Sequence, residues 1–417
     1  MKTRAFKAKS AIFTLSGLMM VLSITSCSSD DPSSDDTTSG GTYLLSSGAT
    51  VSLTGNSYSS TTADESAIKV TDGILTLTDC TITKSGNTTS SDNSSFYGVN
   101  AAVLSSSSSA DVTISGGSIT TDAKGANAAV AYGGSLYLSD VTINCSGQYS
   151  RGIHATNGGS ITAVNLTATT AGANSSVIAT DRGGGTVNVT GGTFSVSGTD
   201  AAVIYSTGTI TASGITGTSA VGEAAVIEGS NSATLTNCNL TAGSTLRGIL
   251  ILQSGSGDAS GATGYFTMTS GTLKVTGSAT PVVEVVTNST GNIVLTSVDV
   301  TCASGILMKV DYNTRWSTNG ATGNLYLSGG KTYVGDIEAD SYSAANVSVS
   351  SSTVWQGAFD KAASAKSSSM TIDGGTWTLT GNSNVDSITL KNGAAINKSG
   401  YTLTYNTLNN VSGTIND

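Results

Sequence analysis

The chain has 417 residues, 18 of them basic and 27 acidic, for a net charge of −9 at pH 7. Only 11% of residues are charged, 51 are glycine and 2 are proline. With helix formers scarce and Ser, Thr, Asn and Val abundant, the composition predicts an all-β fold. An acidic surface repels nucleic acid and anionic lipid faces, which excludes both as partners.

The first element in chain order is a leader. MKTRAFKAKS carries four basic residues and no acid, and AIFTLSGLMMVLSITS is apolar but too short to remain as a span, so residues 1–26 read as an export signal. Without Lys2, Arg4, Lys7 and Lys9, 14 basic residues stand against 27 acidic ones, a net charge of −13. Residues 27–42 are acidic, Ser-rich and contain Pro32, the composition of a disordered tether. Ile24-Thr25-Ser26-Cys27 resembles a bacterial lipobox, which implies that Cys27 is lipidated, becomes the mature N-terminus and holds the protein to a membrane. SSDDPSSDDTTSGG is similar to the acidic export tags of Bacteroidetes lipoproteins. That resemblance implies an outer-membrane anchor with the domain on the cell surface; a periplasm-facing anchor is the alternative.

From residue 43 the chain repeats one phrase. SAIKVTDG, NAAVLSSS, NAAVAYGG, SRGIHATN, DAAVIYST, EAAVIEGS and LRGILILQ align on Ile68, Val103, Val130, Ile153, Val203, Val226 and Ile249, with Val177 and Ile306 as further anchors. Most spacings are 23 to 27 residues, and each phrase is followed by a turn and an alternating strand such as TVNVTGGTFSVSG. A period of this length with strand alternation is the signature of a solenoid. We therefore expect a single-stranded right-handed parallel β-helix of roughly a dozen coils. Residues 43–340 form its body and 341–417 its last coils and cap. The pattern resembles the pectin-lyase-like β-helix surface proteins, and the string over 200–325 is similar to β-helix surface proteins of gut anaerobes. The anchors should face inward, with Gly-Gly and Asn-Gly pairs turning the corners. Three stretches exceed the period and should leave the coil as loops: 85–98, 254–266 and 311–323.

Near the C-terminus, Trp355-Gln356-Gly357 and Gly374 through Ser383 resemble the last coils of autotransporter passenger domains, which implies a packing role for Trp355 and Trp377. A turn is expected near Phe359–Ala365, and helix nowhere else in the domain. Cys80 and Cys238 align with Val141 and Val164, and Cys145 and Cys302 with Val196. These are inward positions at least two coils apart, too far to be bridged, so all four read as buried free thiols.

The single histidine, His154, lies three residues after Arg151. Acid–base or calcium chemistry on a β-helix needs carboxylates clustered on neighbouring coils. The phrase alignment gives His154 the column Lys69, Leu104, Ala131, Ile178, Ile204, Ile227 and Leu250, which holds none. Arg151 meets only Arg247, four coils away, so His154 reads as a rung residue and the protein as non-catalytic. Whether Ile178 to Leu250 form an exposed aliphatic stripe, or a bulge turns them inward, stays open at this point.

The candidate binding residues are Glu228, Asn231, Gln253, Asp258, Arg315 and Trp316, which the phrases bring to one corner. Acids, amides and a tryptophan together suit a carbohydrate or a calcium ion; no other cofactor or metal is implied. The bland reading is that Glu228 and Asp258 satisfy loop amides and Trp316 caps a coil. The expected function is a monomeric, adhesin-like or glycan-contacting surface lipoprotein. A polysaccharide lyase or glycoside hydrolase and a purely structural rod are the alternatives.

Overall fold

A computed structural model describes residues 42–255, 257–313 and 319–417. They form a parallel β-helix: one 31-stranded sheet winds through the domain and a second, 5-stranded sheet joins it near the C-terminus. A typical coil has a short first strand, such as Ile153–Thr156, and a long second strand, such as Gly159–Thr170, bent in its middle to make two faces. The ladder runs unbroken from Thr322–Ser328 into Ala344–Ser350 and Ser367–Asp373, so the C-terminal coils continue the same solenoid.

Stacking like on like builds the core. Leu75, Val112, Leu136, Ile161, Val187 and Ile210 pair coil to coil in one inward column, all buried. Each such side chain contributes about 1.5–3 kcal/mol on burial. The alternate residues face outward; on the third face Thr81, Ser118, Thr142, Thr167, Thr193 and Thr216 form a column of hydroxyls.

The bend between the second and third faces is set by backbone in the left-handed region. Its column reads Asp79, Gly116, Asp140, Asn165, Gly191, Gly214, Asn237, Ser270 and Ser297, with φ between 50° and 67°. Glycine alone does not hold this corner. Asn and Asp share it because their short polar side chains lower the cost of this conformation. The opposite corner does demand glycine at Gly172, where a Cβ would run into the carbonyl oxygen of Gly147 on the coil below.

The thiols are unpaired. Cys80, Cys145 and Cys238 are buried and Cys302 is partly buried, all four free. Cys145, Thr170, Val196, Ser219, Ala242, Val275 and Cys302 share one column, as the alignment expects. Cys80 follows the bend, so its column contains Leu166, not Val164. Val164 precedes the bend and points outward.

Trp355 and Trp377 are fully buried in the smaller sheet, between Tyr333 and Ile396. Their rings stack at 5.1 Å and 14°, and each Nε1 donates to a glycine carbonyl, Gly335 at 2.8 Å and Gly357 at 2.9 Å. The indoles fill the core with their polar atoms satisfied, which is the packing role expected of them. Residues 361–363 form the turn expected there.

The first strands depart from the phrase alignment. Ile153 pairs with Ala129 and Ile178, Ile178 with Ile204, Ile204 with Ala225, and Ala225 with Ile249. Val130 and Val226 are thus displaced by one residue from the anchor column and lie on the outer face. A slip of one residue flips every side chain to the opposite face. Val177 and Val203 remain buried because the chain turns into the strand there, leaving two consecutive residues in the core. Ile178, Ile204 and Ile227 also point into the core, so the aliphatic stripe does not form. A second departure is helix α1 (Ser91–Tyr97), inside the stretch expected to be a loop.

Candidate functional site

The corrected register gives the outer column of the first face as Lys69, Leu104, Val130, His154, Ala179, Tyr205, Val226, Leu250, Glu284, Lys309 and Glu338. It does contain carboxylates. Those carboxylates, Glu284 and Glu338, stand beyond Leu250; over the coils from Lys69 to Leu250 the column holds none, as the phrase alignment expects, although Ala131, Ile178, Ile204 and Ile227 give way in it to Val130, Ala179, Tyr205 and Val226.

Two excursions wall this face. The sequence SDNSSFY is a weak helix former, so α1 depends on its ends and its docking. Ser90 caps it by accepting from Asn93 N at 3.2 Å, and Gly98 closes it at φ 67°. Asn127 Nδ2 donates to Ser94 O at 3.2 Å, Thr156 Oγ1 to Phe96 O at 2.9 Å, and Gly98 sits against Leu104 and Val130. This segment seals His154, which is fully buried. The other wall is the loop 254–262, joined to the turn at Gly229 and Ser230 by the bond from Ser230 N to Ser260 O at 2.8 Å. Arg182 ties the two together: its guanidinium lies 3.8 Å from the centroid of Phe96 and 2.8 Å from Asp258.

Between the walls runs a cleft. One hollow of about 240 Å³ is lined by Asp92, Phe96, Tyr149, Arg151, Asp181 and Asp258 among others. A second of about 180 Å³ is lined by Glu223, Val226, Glu228, Arg247, Leu250 and Leu252. Asn174, Ser176, Asp200 and Tyr205 line both, which makes the cleft continuous. Leu250, Leu252 and Val286 form a small apolar cluster outside the main core. A larger hollow of about 650 Å³ lies further along the face, by Lys309, Asp311 and Glu338. There Lys309 pairs with Asp311 at 2.7 Å, and Asp340 accepts from Tyr312 N and Tyr342 N.

The cleft's charges pair with one another. Arg151 Nη1 lies 2.7 Å from Asp181. Arg247 bridges Glu223 and Glu284, each at 3.1 Å, with all three side chains buried. Tyr205 Oη donates to Glu228 at 2.6 Å. Burial raises the Asp181 carboxyl despite Arg151, and it raises the Glu284 carboxyl despite Arg247. It also lifts Tyr205 well above the usual phenol value, with Glu228 adding to the effect. His154 is held well below the ordinary imidazole value by burial and then by Arg151, and its ring has no exposed surface.

Of the residues expected at the corner, Glu228 and Asp258 do come to this cleft. Glu228 accepts from the Tyr205 hydroxyl, and Asp258 pairs with the Arg182 guanidinium. Asn231 is used locally, donating to Glu228 O at 2.6 Å, and Gln253 leaves the strand beside Leu252 without lining either hollow. Arg315 and Trp316 lie outside the described residues. Asp181, Tyr205 and Glu284 were missed, and the phrase alignment did not join them to Arg151 and Arg247, because Ile178 and Ile204 stood one position out of register. Their signal was the spacing of Arg151 and Arg247, each two residues before its anchor. Among the described residues no group of three or more His, Cys, Asp or Glu is placed to hold a metal ion. No protein-family model matches the chain, and no curated protein or solved structure matches it either.

Proposed function

We propose that this chain is a surface lipoprotein, anchored through Cys27, whose β-helix contacts glycans through the cleft between α1 and the loop 254–262 without cleaving them. The observation that carries this reading is the pairing inside the cleft: Asp181 with Arg151, Glu228 with Tyr205, Glu223 and Glu284 with Arg247. A general acid or base needs a carboxyl available to the reacting atoms, whereas paired ions, tyrosines and amides on a fixed scaffold present donors and acceptors to sugar hydroxyls. Asn174, Ser176 and Tyr205 supply that kind of lining along the floor. The acidic stretch after Cys27 supports a tether, and the domain acts as a monomer.

A glycan array probed with the wild type and with Tyr205→Ala tests the reading. Binding lost in the variant supports it; release of reducing ends or unsaturated uronides from any polysaccharide would instead favour the lyase or hydrolase. Cys27→Ser should remove the protein from the membrane fraction, and protease treatment of intact cells should release the domain. Protection from protease in such cells would place it in the periplasm and overturn the adhesin-like part of the proposal.

A further inference from the structure

Lysine is among the side chains least often buried, yet Lys84 is 1% exposed. It stands in an inward column between Ser60 and Thr121. Two backbone carbonyls, Thr62 O and Gly86 O, accept from its Nζ at 2.9 Å each. Gly86 O also accepts from Asn100 Nδ2, at 2.7 Å. An amine and a carboxamide, both buried, therefore meet on one oxygen atom, at the foot of the excursion that carries α1.

The surroundings favour reaction between them. Asp64 N donates to Asn100 Oδ1 at 2.9 Å. A backbone N–H so placed polarises the carbonyl and stabilises the negative charge that attack at its carbon develops. Burial lowers Lys84 from the ordinary amine value, opposed first by Glu65 and then by Asp64 and Asp122, and a desolvated lysine is the more nucleophilic for being less charged. Of these three acids Glu65 acts on it most strongly. Its Oε2 accepts from Ser60 Oγ at 2.9 Å, and Ser60 is the ladder partner of Lys84. A carboxylate fixed beside an amine is placed to take its proton.

We propose that Lys84 and Asn100 condense into an intramolecular isopeptide bond, with Glu65 as the proton acceptor. Nζ of Lys84 bonds to Cγ of Asn100 as the Cγ–Nδ2 bond breaks. Of the three hydrogens on the ammonium, one stays on the new amide, one passes to Glu65 and on to solvent, and one leaves on Nδ2 as ammonia. The condensation consumes no oxidant, reductant or cofactor. It closes residues 85–99 into a covalent ring, which fixes the foot of the wall that α1 forms.

The test is peptide mapping of the full chain by mass spectrometry. Trypsin does not cut after an acylated lysine, so digestion should give one peptide, 70–124, in place of 70–84 and 85–124. That peptide should be lighter than its sequence by one ammonia, and a further cut after Phe96 or Tyr97 should leave its two halves joined. Lys84→Arg keeps a cation for the two carbonyls but no nucleophile, and should yield the two separate peptides at full mass. Glu65→Gln keeps an acceptor for Ser60 but no base, and should leave most chains unlinked; full linkage in this variant overturns the role of Glu65. Separate peptides 70–84 and 85–124 from the wild type overturn the proposal whether or not either variant folds. An ammonia loss that persists in Lys84→Arg, or that hydroxylamine reverses, also overturns it, because that loss marks a succinimide at an asparagine.

Discussion

Arg151 Nη1 lies 3.5 Å from His154 Nε2, a fixed cation donating to the ring of the only histidine in the chain. The ring proton is thereby assigned to Nδ1, which is buried without a hydrogen-bond partner. Asp181 completes the row by holding Arg151 from the other side. This geometry sets a pH dependence. The folded-state value of His154 is depressed, so from about pH 6.5, where a free imidazole titrates, downwards the unfolded chain takes up a proton that the folded one refuses. Its contribution to stability is present above about pH 6.5 and is lost as pH falls, at up to about 1.4 kcal/mol per pH unit. Urea unfolding at pH 7.5 and 5.5 should show the loss, and His154→Leu should flatten it. Asp181 and Glu284, whose carboxyls are raised, act in the opposite sense, because the folded state holds a proton that the unfolded chain has given up.

Removing the clasp should loosen the walls without melting the rod. Arg182→Ala abolishes the stacking on Phe96 and the ion pair with Asp258, each worth about 1 kcal/mol or less at a half-exposed site. The midpoint of thermal unfolding should move by no more than a few degrees, while limited proteolysis cuts within 254–262 faster than in the wild type. Unchanged cleavage would mean that the loop is held by its bonds to Ser230 alone.

The C-terminal coils should fail first when their core is opened. Trp355→Ala removes a fully buried indole and its stack with Trp377, a loss of about 3–5 kcal/mol for an aromatic in such a site. A solenoid is stabilised coil by coil. Hydrogen exchange should therefore accelerate in 332–397 well before it does in 129–196. A uniform rise along the chain would show the domain unfolding as one unit.

The thiols give an independent check on the register. Burial lifts Cys145 to about 11 and raises Cys238, so neither should be alkylated at pH 8 in the folded protein. Cys302, partly buried, should react first, and Cys80, Cys145, Cys238 and Cys302 should all titrate after denaturation without reductant.

Much of this architecture was legible in the sequence because periodicity records burial. The recurring anchors gave the coil, the inward columns placed Cys145 and Cys302 beside Val196, and the Trp phrases marked the packed C-terminal sheet. The cleft was not legible, for a physical reason. Side chains in a strand alternate with period 2, so aligning Val177 in place of Ile178 hides an entire face, and both residues are buried apolar side chains that a pattern cannot tell apart. Helix α1 was hidden too, since SDNSSFY gains its stability from Ser90, Gly98 and docking on Val130, none of which its propensity reveals.

The clasp formed by Phe96, Arg182 and Asp258 also bears on how such a chain can change length. Coils that turn on interchangeable Asp, Asn, Ser or Gly corners can be copied or deleted whole, and beyond either end of the cleft an added turn would merely lengthen the rod. Within it the arithmetic is different: each inserted coil would move the two walls about 4.8 Å apart, and Arg182 could no longer reach both. A coil inserted outside residues 98–254 should therefore leave the clasp intact, and one inserted inside them should break it, which makes the number of turns under the clasp the fixed unit of an otherwise extensible protein.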